Sequence, residues 1–230
     1  VADPTKVQSA AGTSALASTS ATFSAATAGN LLVLATGADD YRTGSPSGWT
    51  QIAAEQQTFH GLNFWYKFAA GGETSVTYVI GSAARSVWAM AEFDNVASFG
   101  SGQGTFVQAS AASQATPTHT PSAGRKLILA VVGFSTSSAS PAMSGYAWAS
   151  ITLTSAQISL GPASNPQEYI GIGWTVADYT GSNTVASTAS IAGIQPGQAR
   201  TAIIGSFAVA GAAAAYPFEL LTPTPRYYRR

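Results

Sequence analysis

Ala28-Gly29-Asn30-Leu31-Leu32-Val33-Leu34-Ala35 closes a small-polar segment and opens an apolar run, and the chain repeats the device at Ala123-Gly124-Arg125-Lys126-Leu127-Ile128-Leu129-Ala130. The echo continues downstream. Ser47-Gly48-Trp49 is answered by Ser144-Gly145-Tyr146, and Leu62-Asn63-Phe64-Trp65-Tyr66 by Ile170-Gly171-Ile172-Gly173-Trp174. Residues 72–76 are matched by 181–185, and Arg85 ahead of an apolar strand by Arg200 ahead of another.

Around these copies helical periodicity is nearly missing, while short runs of β-branched and aromatic residues recur between Gly, Ser, Pro and Asn clusters. The first half predicts strands over 6–10, 21–24, 31–37, 50–55, 62–68, 75–79 and 86–93. The second half predicts them over 104–109, 116–118, 126–134, 147–153, 156–160, 169–176, 184–189 and 200–209. A single open sheet seldom holds so many strands. The expected fold is therefore all-β, a jelly-roll-like two-layer antiparallel sandwich over 1–210, built from echoing halves of about 1–100 and 101–210.

Two topologies could give the echo: two small sandwiches, or one larger jelly roll whose halves interleave as two Greek keys. The join from 99 to 121 contains a strand-like Thr105-Phe106-Val107-Gln108 rather than a bland linker, which favours one interleaved sandwich. Composition breaks near Gly211, where residues 211–230 carry three prolines and no alternation and read as an extended C-terminal tail. Its Tyr216, Phe218, Leu220, Leu221, Tyr227 and Tyr228 are unfavourable to leave in water, so the tail is expected to dock on its own body or on a neighbouring subunit.

Alternation assigns faces. In 62–68 the even positions point inward, with Asn63, Trp65 and Lys67 on a wetter face. In 169–176 the inward set is Ile170, Ile172, Trp174 and Val176, and Gly171 and Gly173 leave room for another backbone.

Charged residues make up only 9% of the 230-residue chain, against roughly 25% in ordinary soluble proteins. Ten basic residues cancel ten acidic ones, so no basic face is available to release counterions from nucleic acid. A neutral Ser/Thr/Gln/Asn/Gly skin weakens repulsion between copies and favours an assembled state. Cysteine is absent, which excludes disulfides and thiolate metal sites. The apolar runs are far shorter than the ~18 residues of a membrane helix, and no signal-peptide pattern is visible.

Candidate chemistry is sparse. A nucleophile–histidine–carboxylate site would have to use His60 or His119, and neither has a nucleophile elbow nearby. Glu92 and Asp94 alternate on one strand about 7 Å apart, a glycosidase-like separation, but Asp94-Asn95 is also a favoured turn. Asp39-Asp40 lacks calcium-loop spacing, and Gly100-Ser101-Gly102-Gln103-Gly104 reads as a flexible turn, with no helix behind it to form a phosphate loop. No catalytic residue, metal or cofactor is assigned. Aromatics are the remaining recognition candidates: Trp174 and Tyr66 read as core, and Tyr41 and Trp65 beside Asp39 as a surface on which a sugar ring could stack.

The apolar strand after Gly29, then Pro46-Ser47-Gly48-Trp49-Thr50, Phe64-Trp65-Tyr66-Lys67-Phe68-Ala69, Gly72-Glu73-Thr74 and Trp88-Ala89-Met90-Ala91-Glu92-Phe93 together resemble a pattern of tailed-bacteriophage structural proteins, namely minor tail and virion appendage subunits. The resemblance covers roughly residues 28–96 and brings no catalytic set. It implies a non-enzymatic virion component at the tail, fibre or head surface. Its expected partners are other virion structural proteins and copies of itself, with host-surface glycan as a further contact. A carbohydrate-binding module and a glycan-cleaving enzyme are the alternatives.

Overall fold

The computed structural model describes residues 2–14, 16, 18–38, 43–57, 60–80, 86–108, 113–136, 142–148, 156–160, 167–192 and 199–211. The expected docking tail, with Tyr216, Phe218, Leu220, Leu221, Tyr227 and Tyr228, lies outside them. Every regular element among the described residues is a strand, and all the pairings are antiparallel.

The first half contains β1 (Lys6–Ser14), β2 (Ser18–Thr22), β3 (Leu31–Ala38), β4 (Thr43–Gly44), β5 (Thr50–Gln57), β6 (His60–Phe68), β7 (Ser75–Ile80) and β8 (Ser86–Phe93). The second contains β9 (Val96–Gln108), β10 (Ser113–Ala115), β11 (Gly124–Thr136), β12 (Ala142–Trp148), β13 (Ala156–Leu160), β14 (Gln167–Tyr179), β15 (Ser187–Ala192) and β16 (Ala199–Val209). An inner sheet of order β1-β8-β3-β6-β5 and an outer sheet of order β2-β7-β4 form the first half. The second half repeats both orders eight strands later, as β9-β16-β11-β14-β13 and β10-β15-β12. Each half is a jelly-roll-like antiparallel sandwich.

Strand pairing is not interleaved: among the described residues each half pairs only within itself. The strand-like segment near Thr105 belongs to β9, which opens the second half as β1 opens the first and hydrogen-bonds to β16 as β1 does to β8. The chain passes from the first half to the second through Asp94 and Asn95. Asn95 takes a φ of 52°, and its carbonyl accepts from the Ala210 amide, while Asp94 accepts from the Thr5 amide and hydroxyl. Asp94 is thus a turn residue.

Three apolar layers hold the stack together. In the first half Leu32, Leu34, Trp65, Trp88 and Met90 of the inner sheet pack against Ala21, Val76 and Tyr78 of the outer one. The second half closes likewise around Ile128, Ala130, Val132, Phe134, Tyr169, Ala189 and Ile204. The alternate residues of both inner sheets, including Leu31, Val33, Phe64 and Phe93 from one and Leu127, Leu129, Ile172 and Phe207 from the other, form a shared core. The order is outer, inner, inner, outer. The central strands of the inner sheets are therefore buried on both faces, which is why 31–35 and 127–132 run apolar without alternating.

Register makes the two halves comparable residue by residue. Leu31 pairs with Phe68 and Phe93, and Leu127 with Val176 and Phe207. Leu31 therefore corresponds to Leu127, one residue beyond the sequence match that set it against Lys126. Because the inner sheets meet through corresponding faces, a pseudo-two-fold axis relates the halves. The contacts repeat under this axis: β14 crosses β3 and β8 as β6 crosses β11 and β16, and β13 flanks β1 as β5 flanks β9. Aromatic pairs repeat too. Phe93 meets Trp174 edge-on at 5.6 Å and 71°, and its counterpart Phe207 meets Tyr66 at 5.5 Å and 80°.

Glycines admit the close approach at the edges. Gly100 to Gly104 is not a turn but part of β9, where a side chain on Gly102 would strike the Ile52 side chain and one on Gly104 the Glu55 carboxylate. Burial against this strand raises the Glu55 pKa above its ordinary value.

Candidate functional site

The sequence-level candidates do not come together. Asp39 and Tyr41 lie outside the described residues. Trp65, expected on a wet face, is fully buried between the inner and outer sheets of the first half. The alternation that put it beside Asn63 and Lys67 was real, but the outer sheet covers that face, leaving Asn63 at 1% exposure and Trp65 at 0%. A sugar ring cannot stack on it.

Glu92 is likewise a buried organiser of the framework. Its Oε1 accepts from the Thr27 amide at 2.9 Å and Asn30 Nδ2 at 2.6 Å, and its Oε2 from Gln8 Nε2 at 2.5 Å. Gln8 in turn donates to the Ser24 carbonyl and accepts from the Ser24 amide. One carboxylate thereby ties β1, β8 and the 23–30 connection together. Asp94 holds Thr5 instead, so the two carboxylates serve separate structural contacts.

The most concentrated polar constellation is one the sequence did not assemble. His60 starts β6, Glu168 lies near the start of β14 and Thr201 near the start of β16, and all three are fully buried. His60 Nδ1 lies 2.6 Å from Glu168 Oε2, and Nε2 lies 2.9 Å from Thr201 Oγ1. An ionised carboxylate can only accept, so Nδ1 donates. The Gly133 carbonyl, 3.4 Å from Thr201 Oγ1, is a second acceptor for the single hydroxyl proton, and Glu168 Oε1 has no hydrogen-bond partner among the described residues. The imidazole fits because Gly133 carries no side chain: a Cβ there would come within 2.9 Å of His60 Nε2 and 3.0 Å of the Leu62 side chain.

Hydroxyl, imidazole and carboxylate thus stand in the order of a nucleophile–base–orienter relay. Relay chemistry also needs a substrate carbonyl beside the hydroxyl, and Thr201 is sealed between the two inner sheets. What the arrangement can do as it stands is bind the halves to each other, since His60 belongs to one and its two partners to the other. Histidine 60 carried too little local signal to reveal this. Its partners are 108 and 141 residues away.

His119 forms a second, smaller network. It bridges to Val185 through the backbone, and its Nε2 lies 3.0 Å from Ser206 Oγ, while burial lowers its pKa below the ordinary histidine value. At the surface, Arg125 of β11 reaches across to the first half with a two-pronged contact to Asp3 at 2.6 and 2.7 Å, and also meets Asp178 at 2.8 Å. The guanidinium holds the Asp3 carboxyl below its ordinary pKa. Among the described residues no three His, Asp or Glu side chains converge to hold a metal ion.

No family model, no curated protein and no solved structure matches this chain, so its functional reading rests on the two-halved fold and on where these side chains stand.

Proposed function

We propose that the chain is a non-enzymatic structural subunit of a phage-like particle, placed at the tail, fibre or head surface and assembled with other virion proteins and copies of itself. The observation that carries this reading is the use made of the chain's large and ionisable side chains. Among the described residues Trp65, Tyr78, His60, Glu92, Glu168 and Arg200 all stand inside, packing or bridging strands, so these side chains build the block itself. A body of two jelly rolls fused through a shared core suits a load-bearing part, and its sparsely charged surface suits contact with neighbours. The glycan contact leaned on Trp65 and Tyr41 beside Asp39; the burial of Trp65 removes its part of that support, and the other two lie outside the described residues.

The reading is tested by size-exclusion chromatography with light scattering on the full chain over a wide concentration range. Self-association that grows with concentration is expected. A single monomeric mass at every concentration counts against the assignment.

A further inference from the structure

The residues at the centre of the interface between the halves are related by the pseudo-two-fold axis. Leu62 and Ile170 correspond, as do Phe64 and Ile172, because they stand at equal distances from the register pairs Leu31–Phe68 and Leu127–Val176. Counting two residues further back, His60 corresponds to Glu168. By the same registers Gly37 corresponds to Gly133, and Val87 to Thr201. The 2.6 Å contact between His60 and Glu168 is therefore a contact of one position with its own counterpart, made at the axis.

Elsewhere on this interface the correspondence pairs apolar with apolar: Leu31 with Leu127, Val33 with Leu129, Phe93 with Phe207. Such faces attract one another without choosing. A first half would bury its inner sheet against another first half nearly as well as against a second half, because the hydrophobic effect has no direction. Polar groups at the axis supply the choice. Two first halves would set His60 against His60 with Val87 in place of Thr201, leaving the nitrogen that meets the hydroxyl without a partner in both rings. Two second halves would set Glu168 against Glu168, and two adjacent buried carboxylates cannot both ionise. Only the unlike pairing gives Nδ1 a carboxylate and Nε2 a hydroxyl.

We propose that His60, Glu168 and Thr201 form the recognition element that matches the first half to the second and rejects like-with-like pairing, the competing partner being a second copy of this chain. A buried acid–base pair suits that task better than it suits stabilisation. Apolar residues of similar volume often match or exceed the stability of such a pair, whereas a misplaced charge is strongly disfavoured.

The test separates choice from stability. The triple variant His60→Leu/Glu168→Leu/Thr201→Val is expected to melt at or above the wild-type temperature. After denaturant unfolding and refolding at high protein concentration, it is expected to show dimers and larger species beyond those of wild-type protein taken through the same cycle. A refolding profile identical to wild type would overturn the proposal. The second arm exchanges the pair, with the hydroxyl moved to match: His60→Glu/Glu168→His/Val87→Thr/Thr201→Val. It is expected to recover the wild-type refolding profile and to be far more stable than His60→Glu alone. If it is no more stable than that single variant, the axial correspondence is wrong and the proposal falls, even should the leucine variant fail to fold. Each variant is read against wild type, so assembly of the native chain is common to both and does not decide the outcome.

Discussion

Glu92 shows how much of this architecture hangs on single side chains. A carboxylate in a fully buried position is tolerable only when its oxygens are met by donors, and here a backbone amide and two side-chain amides meet them. Removing it takes the shared acceptor from the half-buried Gln8 and Asn30 amides and from the Thr27 backbone, and leaves a void at a fully buried position. Glu92→Ala is expected to cost about 3 kcal/mol of unfolding free energy in urea titrations, and Glu92→Gln, which keeps the shape and one acceptor, distinctly less. The site of a catalytic acid would show the opposite pattern, lost activity with little change in stability. Sequence reading flagged this residue for its spacing from Asp94. The donors that explain it come from Gln8, Thr27 and Asn30, far along the chain, and nothing local announces them. Glu73 differs in that its partners are neighbours: its oxygens accept from the Ala70 and Gly71 amides and meet Lys67, and these donors, the Ala70 amide foremost, together hold its pKa down to about 2.

At the level of elements, the strands that the sequence revealed best are those in which both copies share one period. The match of 62–66 with 170–174 survives in the register without a shift, and β3, β8 and β16 fall close to where they were expected. Alternation misled where a strand has two covered faces, as at Trp65, because sidedness then reports which neighbour is polar rather than where water lies. Glycine misled in the same way. Spaced two apart in β9, Gly100, Gly102 and Gly104 satisfy every rule for a flexible turn, yet they belong to an edge strand against which β5 presses. A methyl group added at Gly102 would meet both the Ile52 side chain and, at 3.2 Å, the Ile204 carbonyl, so strand and neighbour would have to part. Gly102→Ala is expected to destabilise the protein by about 1–3 kcal/mol in urea titrations. A true turn glycine without strain would show almost no effect there.

For the whole molecule, the shared core decides whether two sandwiches behave as one body. With only Asp94 and Asn95 between them, neither half can open without exposing the inner sheet of the other. Leu129 is fully buried in that core. Leu129→Ala is expected to cost about 2–5 kcal/mol and to lower a single cooperative transition seen alike by tryptophan fluorescence and by far-ultraviolet circular dichroism. Two separated transitions would instead mark the halves as independent folding units. The echo was legible in the sequence because each copy must rebuild the same sandwich, but the axis between them was not, since it exists only once the sheets are stacked.

That axis has a consequence for how such a molecule can change over generations. In a dimer of identical subunits one codon writes both sides of the axis, so a residue there always faces itself, and any change is made twice. Joining the two halves into one reading frame separates the two positions. Each can then vary alone, and a histidine can be answered by a glutamate, a pairing of unlike residues that no gene for a symmetric dimer can encode.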